Sequence, residues 1–283
     1  MDELLPGNDD PRRRVIRDWL ATHPNPTNVQ LAESGYVAPH WPEPWGLGAD
    51  PIHQLIIDDE LARAGVSRPS NQIGIGWAAP TIIFAGTQEQ KDRYVMPALT
   101  AEEIWCQLYS EPGAGSDLPS LTTRAVLDGD EWVVNGQKVW TSGAHLSDFG
   151  IVVTRTDPTV PKHKGLTMFI VDRKAPGMEV RPIKQMSGGS EFNEVFFTDV
   201  RVPAINLVGV EGNAFKQTMR QLEHERGGID RLVSNYALYV IARERAGCLQ
   251  GNCLRYCGEC RRTAIAGAAG SRLQEHDGGS RNE

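Results

Sequence analysis

Twice along this chain of 283 residues the spacing of apolar side chains changes. Up to about residue 103, segments with helical spacing are separated by Pro-rich loops. From Ile104 the pattern alternates as in strands, and after Gly209 it returns to helical, with Phe215, Met219, Leu222, Ile229, Val233, Tyr236 and Val240 on one stripe. A chain that switches period twice does not fit a single all-helical or all-strand layer. The pattern predicts a multidomain α+β protein: an N-terminal helical domain at 1–103, a middle β-barrel or sandwich at 104–211, the first helix of an incomplete C-terminal helical-bundle domain at 212–245, and a divergent, disordered tail at 246–283.

Local signals support these divisions. Asp10-Pro11 and Asp50-Pro51 each place a capping carboxylate before a proline at the first helical position, and Thr87 with Gln90 forms a capping box that opens a helix over 88–99. Further on, Val126-Leu127, a turn at Asp128-Gly129-Asp130, Trp132-Val133-Val134 and a second turn at Asn135-Gly136 read as hairpins. More strands are expected over 149–155, 166–172, 180–183 and 195–200. Exposed sheet edges are a liability, so closure into a barrel or sandwich is the natural arrangement.

Composition narrows the function classes. A formal charge of −7 argues against a dominant nucleic-acid footprint, and no run of 18 apolar residues provides a membrane span. Residues 1–10 are acidic and Pro-interrupted, unlike a secretory signal, so a cytoplasmic location is expected. Of five cysteines, Cys248, Cys253, Cys257 and Cys260 crowd the tail, and only Cys106 lies in the body. The spacing C-x4-C-x3-C-x2-C can be read as a metal site, but no second knuckle or histidine pair accompanies it. No metal is expected.

Two segments carry chemistry. Ser110-Glu111-Pro112-Gly113-Ala114-Gly115-Ser116-Asp117 combines hydroxyls with glycines that let main-chain N–H groups approach a diphosphate, and Trp140-Thr141-Ser142-Gly143 offers hydroxyls beside an indole. Each alone also reads as an ordinary strand end. Together they suggest a flavin cradle in which Trp140 covers one ring face. On the later helix, Glu225 and Arg226 border the apolar stripe just before Gly227-Gly228. They either snorkel to solvent or serve a site, and the paired glycines mark either a close approach or a helix break.

Over about 35–239 the chain resembles the acyl-CoA dehydrogenase family. The resemblance rests on Gly86-Thr87-Gln88-Glu89-Gln90, Ser110 to Asp117, Asn135-Gly136-Gln137-Lys138-Val139-Trp140, Lys164-Gly165, and Phe192-Asn193-Glu194-Val195 through Val202-Pro203. It implies FAD as cofactor, an acyl-CoA thioester as substrate, α,β-desaturation, homo- or hetero-oligomers and electron-transferring flavoprotein as acceptor. Carried over, it makes Gln107, Tyr109 and Ser110 the flavin-facing strand, with Gly115 and Ser116 near the diphosphate or thioester arm and Trp140, Thr141 and Ser142 at the ring. Serine stands at positions 110 and 142 where the family commonly has threonine, which keeps the hydroxyl. Glu225 matches the α-proton base of a branch acting on branched or long chains, Arg226 a residue near the substrate, and Glu223 a CoA contact.

The sequence around Trp41-Pro42, Trp105-Cys106-Gln107 and His224-Glu225-Arg226 resembles the branch handling bulky or cyclic acyl groups. The family's late Arg-x-x-Phe-Gly and Gln-x-x-Gly-Gly signatures are absent, and regular patterning stops near Arg243. A noncatalytic or inactive subunit of a hetero-oligomer is therefore the alternative reading. A hydroxylase-like relative would leave Glu225 idle.

Overall fold

The computed structural model of the chain describes residues 6–227, with side chains through 222, within one compact unit. The expected tail, its cysteines, the apolar stripe beyond residue 227 and the side chains of Glu223, Glu225 and Arg226 lie outside the described residues.

The N-terminal part is helical. Helix α1 (Pro11–Thr22) starts where the Asp10 carboxylate accepts from Arg12 N, and α3 (Pro51–Arg63) where Asp50 accepts from His53 N at 2.9 Å. The capping box expected at Thr87 and Gln90 opens α5 (Gln88–Leu99), with both reciprocal bonds at 3.2 Å. A second box, at Thr27 and Gln30, opens the short α2 (Asn28–Glu33) between them. A wide π-helical turn at Gly74–Ala78 leads into α4 (Ala79–Ala85). Arg13, nearly fully buried, reaches from α1 to Asp59 at 2.6 Å and Glu60 at 2.5 Å on α3, and Arg17 adds 2.7 Å to Glu60. Burial opposes ionisation of Glu60, but the two guanidiniums outweigh it and hold the carboxyl below its usual range.

Seven strands follow: β1 (Trp105–Leu108), β2 (Arg124–Asp128), β3 (Glu131–Ser142), β4 (Phe149–Arg155), β5 (Leu166–Asp172), β6 (Met178–Pro182) and β7 (Phe192–Pro203). They form one sheet in the order β1-β4-β2-β3-β7-β6, with β5 paired to β4 off that path. Strand β4 holds β5 antiparallel along its whole length. It holds β1 in parallel over residues 149–152 and meets β2 only at Arg124–Arg155. Sharing one strand in this way curls the sheet. Period-2 alternation then feeds two cores. Cys106, Leu108, Val152, Phe169 and Val171 pack with Trp132, Val134, Val195 and Val200, whereas Trp105, Tyr109, Ile151, Val153, Met168 and Ile170 pack with the helices.

One expected turn is absent. Asn135-Gly136 does not end a hairpin, because β3 continues through it and pairs with β7 as far as Ser142–Phe192. The pair faces a bulge instead: between Val134 and Gly136 the register shifts by one extra residue on β7, and Gly136 takes φ +150°. A Cβ there would lie 2.5 Å from Thr123 Oγ1. The Asn135 amide exchanges two 3.0 Å bonds with Asp199, whose own φ is +49°, so the side chain serves the opposite strand rather than a turn. Two strands also begin two or three residues earlier than expected, at Met178 and Phe192. Helix α6 (Ala214–Gly227) closes the described chain. It is entered where Gly212 N donates to Thr167 Oγ1 at 3.0 Å.

Candidate functional site

The two chemistry-bearing segments meet. They belong to strands that do not pair with each other, yet Val139 N donates to Ser110 O at 2.9 Å, bringing the end of β1 against the last third of β3. Beyond Ser110 the chain turns at once: Glu111 and Ala114 exchange main-chain bonds of 2.8 and 3.1 Å. This leaves Gly113, Gly115 and Ser116 exposed, and a Cβ at Gly115 would meet nothing within 4 Å. Arg155 holds the far side of this loop by donating to Leu121 O at 3.2 Å and Pro119 O at 2.5 Å.

Four of the expected residues have informative surroundings. Gln107 carries an Nε2 that is buried without a hydrogen-bond partner, an arrangement that costs about 1–3 kcal/mol. Trp140 is 61% exposed and sits at φ +60°, a left-handed conformation that bulky residues rarely adopt. Its ring meets Phe192 edge-on at 6.2 Å. Tyr109 is buried and donates its hydroxyl to Gln221 Oε1, tying the β1 tip to α6. Thr141 is 1% exposed and its hydroxyl lacks a partner, while its carbonyl accepts from Asn193 Nδ2 at 2.9 Å.

Ser110 and Ser142 are half-buried, and Gly143 takes φ +64° with its N–H on Glu191 O at 2.8 Å. The backbone of α6 carries positions 223, 225 and 226. A separate cavity of about 280 Å³ at the start of α6, lined by Phe84, Gly209, Asn213, Gln217 and Arg220 among others, includes none of the expected site residues.

Sequence reasoning missed two residues inside its own motifs. Lys138, fully buried, donates to Glu111 Oε1 at 2.9 Å, Tyr109 O at 3.1 Å and Val153 O at 2.7 Å. Glu111 also accepts from Thr122 N at 2.7 Å, Thr122 Oγ1 at 2.8 Å and Thr123 N at 2.9 Å. Burial opposes ionisation of Glu111, but Lys138 and these donors outweigh it and hold the carboxyl at about 2. Burial also lowers the Lys138 ammonium, to about 8 against the pull of Glu111. The available signal was a lysine at an inward position of a strand, where a charge requires a partner.

The architecture is a helical layer, a curled sheet and a following helix, and the strand tips between them carry buried hydrogen-bonding groups without a partner. Residues 11–102 match the family described as acyl-CoA dehydrogenase, N-terminal domain, and residues 106–200 match acyl-CoA dehydrogenase, middle domain. The chain belongs to the acyl-CoA dehydrogenase family.

Among its relatives, acyl-CoA dehydrogenase FadE34 of Mycobacterium tuberculosis is 52% identical over 198 residues, which cover 70% of this chain and 28% of that one. The crystal structure of the ChsE4-ChsE5 complex from Mycobacterium tuberculosis aligns with a TM-score of 0.63 at 36% identity, covering 79% of this chain and 61% of that one. The structure of the Tcur3481-Tcur3483 steroid ACAD aligns at 0.65 and 34% identity, covering 95% and 70%. The chain spans between 28% and about half the length of the first curated relatives it matches. Among the described residues no helix is long and apolar enough to cross a membrane, and no group of three or more potential ligands forms a metal site.

Proposed function

We propose that this chain carries the cofactor side and the first substrate helix of an FAD-dependent acyl-CoA dehydrogenase that introduces a trans α,β double bond into an acyl-CoA thioester. The observation that carries this reading is the unpaired buried Nε2 of Gln107, on the strand whose end bonds to Val139 beside the exposed, left-handed Trp140. These residues fit a flavin: the amide donates to an acceptor on the ring edge, and the Ser110 and Ser142 hydroxyls add to that edge. Trp140 shields a ring face from water, and Thr141 contributes through its main chain. The open loop at Gly115 and Ser116 offers N–H groups to the diphosphate.

Bound FAD supplies the acceptor for a hydride from the acyl β-carbon. Glu225 takes the α-proton onto its carboxylate as the double bond forms. A positioned base of this kind contributes about 10²- to 10⁴-fold. Arg226 lies near the substrate, Glu223 contacts the CoA portion, and Ser116 serves the thioester arm. The likeness to a steroid ACAD supports a bulky, polycyclic acyl group. Electron-transferring flavoprotein is the acceptor that regenerates the oxidised cofactor.

The test is the visible spectrum of the full chain after incubation with FAD, followed by anaerobic addition of a steroid side-chain acyl-CoA. A bound flavin band that bleaches supports the reading, and Glu225→Gln is expected to keep the band and lose the bleaching. Retained bleaching would remove Glu225 as the base.

A second reading has its own support. The chain covers 28% of FadE34, and a structural neighbour is a complex of two differently named chains, so this polypeptide can serve as one subunit of a hetero-oligomer, holding flavin only with a related partner chain. Chain that stays colourless until such a partner is added would favour it.

A further inference from the structure

We propose that the Glu111–Lys138 ion pair is a positioning element of the flavin site, fixing the strand tip at Ser110 against the Trp140–Ser142 end of β3. The inference rests on the flavin reading above for its functional meaning, but its geometry stands apart from it. The two tips share no sheet ladder: β1 pairs with β4, and β3 with β2 and β7. Besides the main-chain bond from Val139 to Ser110, the buried ion pair holds them together. Its three ammonium hydrogens match three acceptors, from Tyr109 at the end of β1, Glu111 in the turn and Val153 in β4. Its carboxylate receives four donors, three of them from Thr122 and Thr123 beyond the loop. Five chain segments are therefore oriented by one fully satisfied node.

A pair of apolar residues of similar volume would hold the same segments together without removing two charges from water. What apolar packing lacks is direction, because hydrogen bonds fix main-chain carbonyls and the turn in angle as well as distance. Direction matters most immediately downstream. The register of β3 against β7 breaks between Lys138 and Thr141, and within that break Trp140 adopts its left-handed conformation. Strained residues persist where the surroundings over-determine them, and Lys138 is the anchored residue two positions before the strain. The node thus positions the indole and, through Tyr109 O, the strand that carries Gln107.

The experiment uses the full chain labelled with 5-fluorotryptophan, with the Trp140 ¹⁹F resonance assigned through Trp140→Phe. Lys138→Met leaves a buried unpaired carboxylate and is expected to unfold at lower urea. The double variant Glu111→Gln/Lys138→Met removes both charges but also the bonds to Tyr109 O and Val153 O, and is expected to unfold at higher urea than Lys138→Met while its Trp140 resonance stays shifted. Its FAD affinity is expected to fall by about tenfold, the loss of roughly one well-oriented hydrogen bond. Thr122→Val deletes one donor to the carboxylate and is expected to shift the same resonance by less.

A double variant with wild-type resonance and affinity would overturn the proposal, because the pair would then be structural only. If the double variant does not fold, an unchanged resonance in Thr122→Val overturns it. If the wild-type chain binds no FAD, the flavin reading fails by itself, and the resonance still decides whether the pair positions Trp140.

Discussion

Replacing Gln107 by Leu should make the cofactor-free chain more stable and the cofactor complex weaker, two effects of opposite sign from one side chain. The amide nitrogen is buried and has no partner, so the free chain carries its desolvation cost without a compensating bond. That cost is about 1–3 kcal/mol, and Leu fills nearly the same volume, which puts the expected gain near 1 kcal/mol after modest repacking loss. On the proposed reading the same amide donates to the flavin in the complex, so its removal should forfeit about 1 kcal/mol and leave a ring acceptor unpaired, roughly a tenfold loss of affinity. Urea unfolding of the cofactor-free chain measures the first effect, and quenching of flavin fluorescence on titration measures the second. A destabilised variant would show that the amide has a partner within the folded chain. A stabilised variant with unchanged FAD affinity would show that the amide does not face the cofactor.

Three further outcomes follow from the same geometry. Thr141→Val should also stabilise the free chain by about 1 kcal/mol, since its hydroxyl is buried and unpaired, but should leave FAD affinity within about twofold because only the main chain of Thr141 serves the site. Gly136→Ala should cost about 3 kcal/mol or more, from a positive φ and a Cβ driven against Thr123, and a melting temperature within a degree of wild type would refute the bulge geometry. For Glu111 the folded carboxyl lies at about 2 against an ordinary 4.5, so its stabilisation, about 3 kcal/mol, is fully present above pH 4.5 and is lost as pH falls towards 2. Near pH 3.5 the wild-type unfolding free energy should therefore fall more steeply than that of Glu111→Gln, by about 1 kcal/mol per pH unit, and equal slopes would refute the assignment.

Much of the fold was legible because local chemistry and global pattern agree. Asp10, Asp50 and Thr87 open their helices as their side chains dictate, and the alternation from Trp105 onward does sort residues between two cores. Legibility failed where a local signal had two solutions. Asn135-Gly136 satisfies a tight turn and a bulge equally well, and the choice was made by Phe192–Phe197, some sixty residues away, whose pairing keeps β3 running. Ser110 and Trp140 were singled out from their motifs as candidate site residues, but Glu111 and Lys138 inside those motifs were passed over. An ion pair joining residues 27 apart is invisible to periodicity. The branching of the sheet at β4 was equally hidden, because register between distant strands leaves no local trace.

Three departures from ordinary folding rules lie close together along β1 and β3. A buried amide without a partner, a tryptophan at positive φ and a fully desolvated lysine all lie within residues 107–140, on two tips joined by one main-chain bond and one ion pair. Each departure costs stability alone. Gathered at one place they share their restraints: Lys138 and Glu111 precede the strained residue, while Asn193 on Thr141 O and Glu191 on Gly143 N hold the chain after it. Trp140 is thus clamped from both sides, so its indole does not have to be ordered when a ligand arrives. Pre-organisation of this kind reduces the entropy lost on binding, which favours a tightly held resident group over a transient substrate at these tips. The Tyr109–Gln221 bond extends the clamp to α6, linking the end of β1 to the helix whose backbone carries Glu225, the proposed base. A change at the strand tips should therefore register at the base, with Tyr109→Phe expected to leave FAD bound while slowing anaerobic bleaching by acyl-CoA. Bleaching at the wild-type rate would uncouple the two halves of the site.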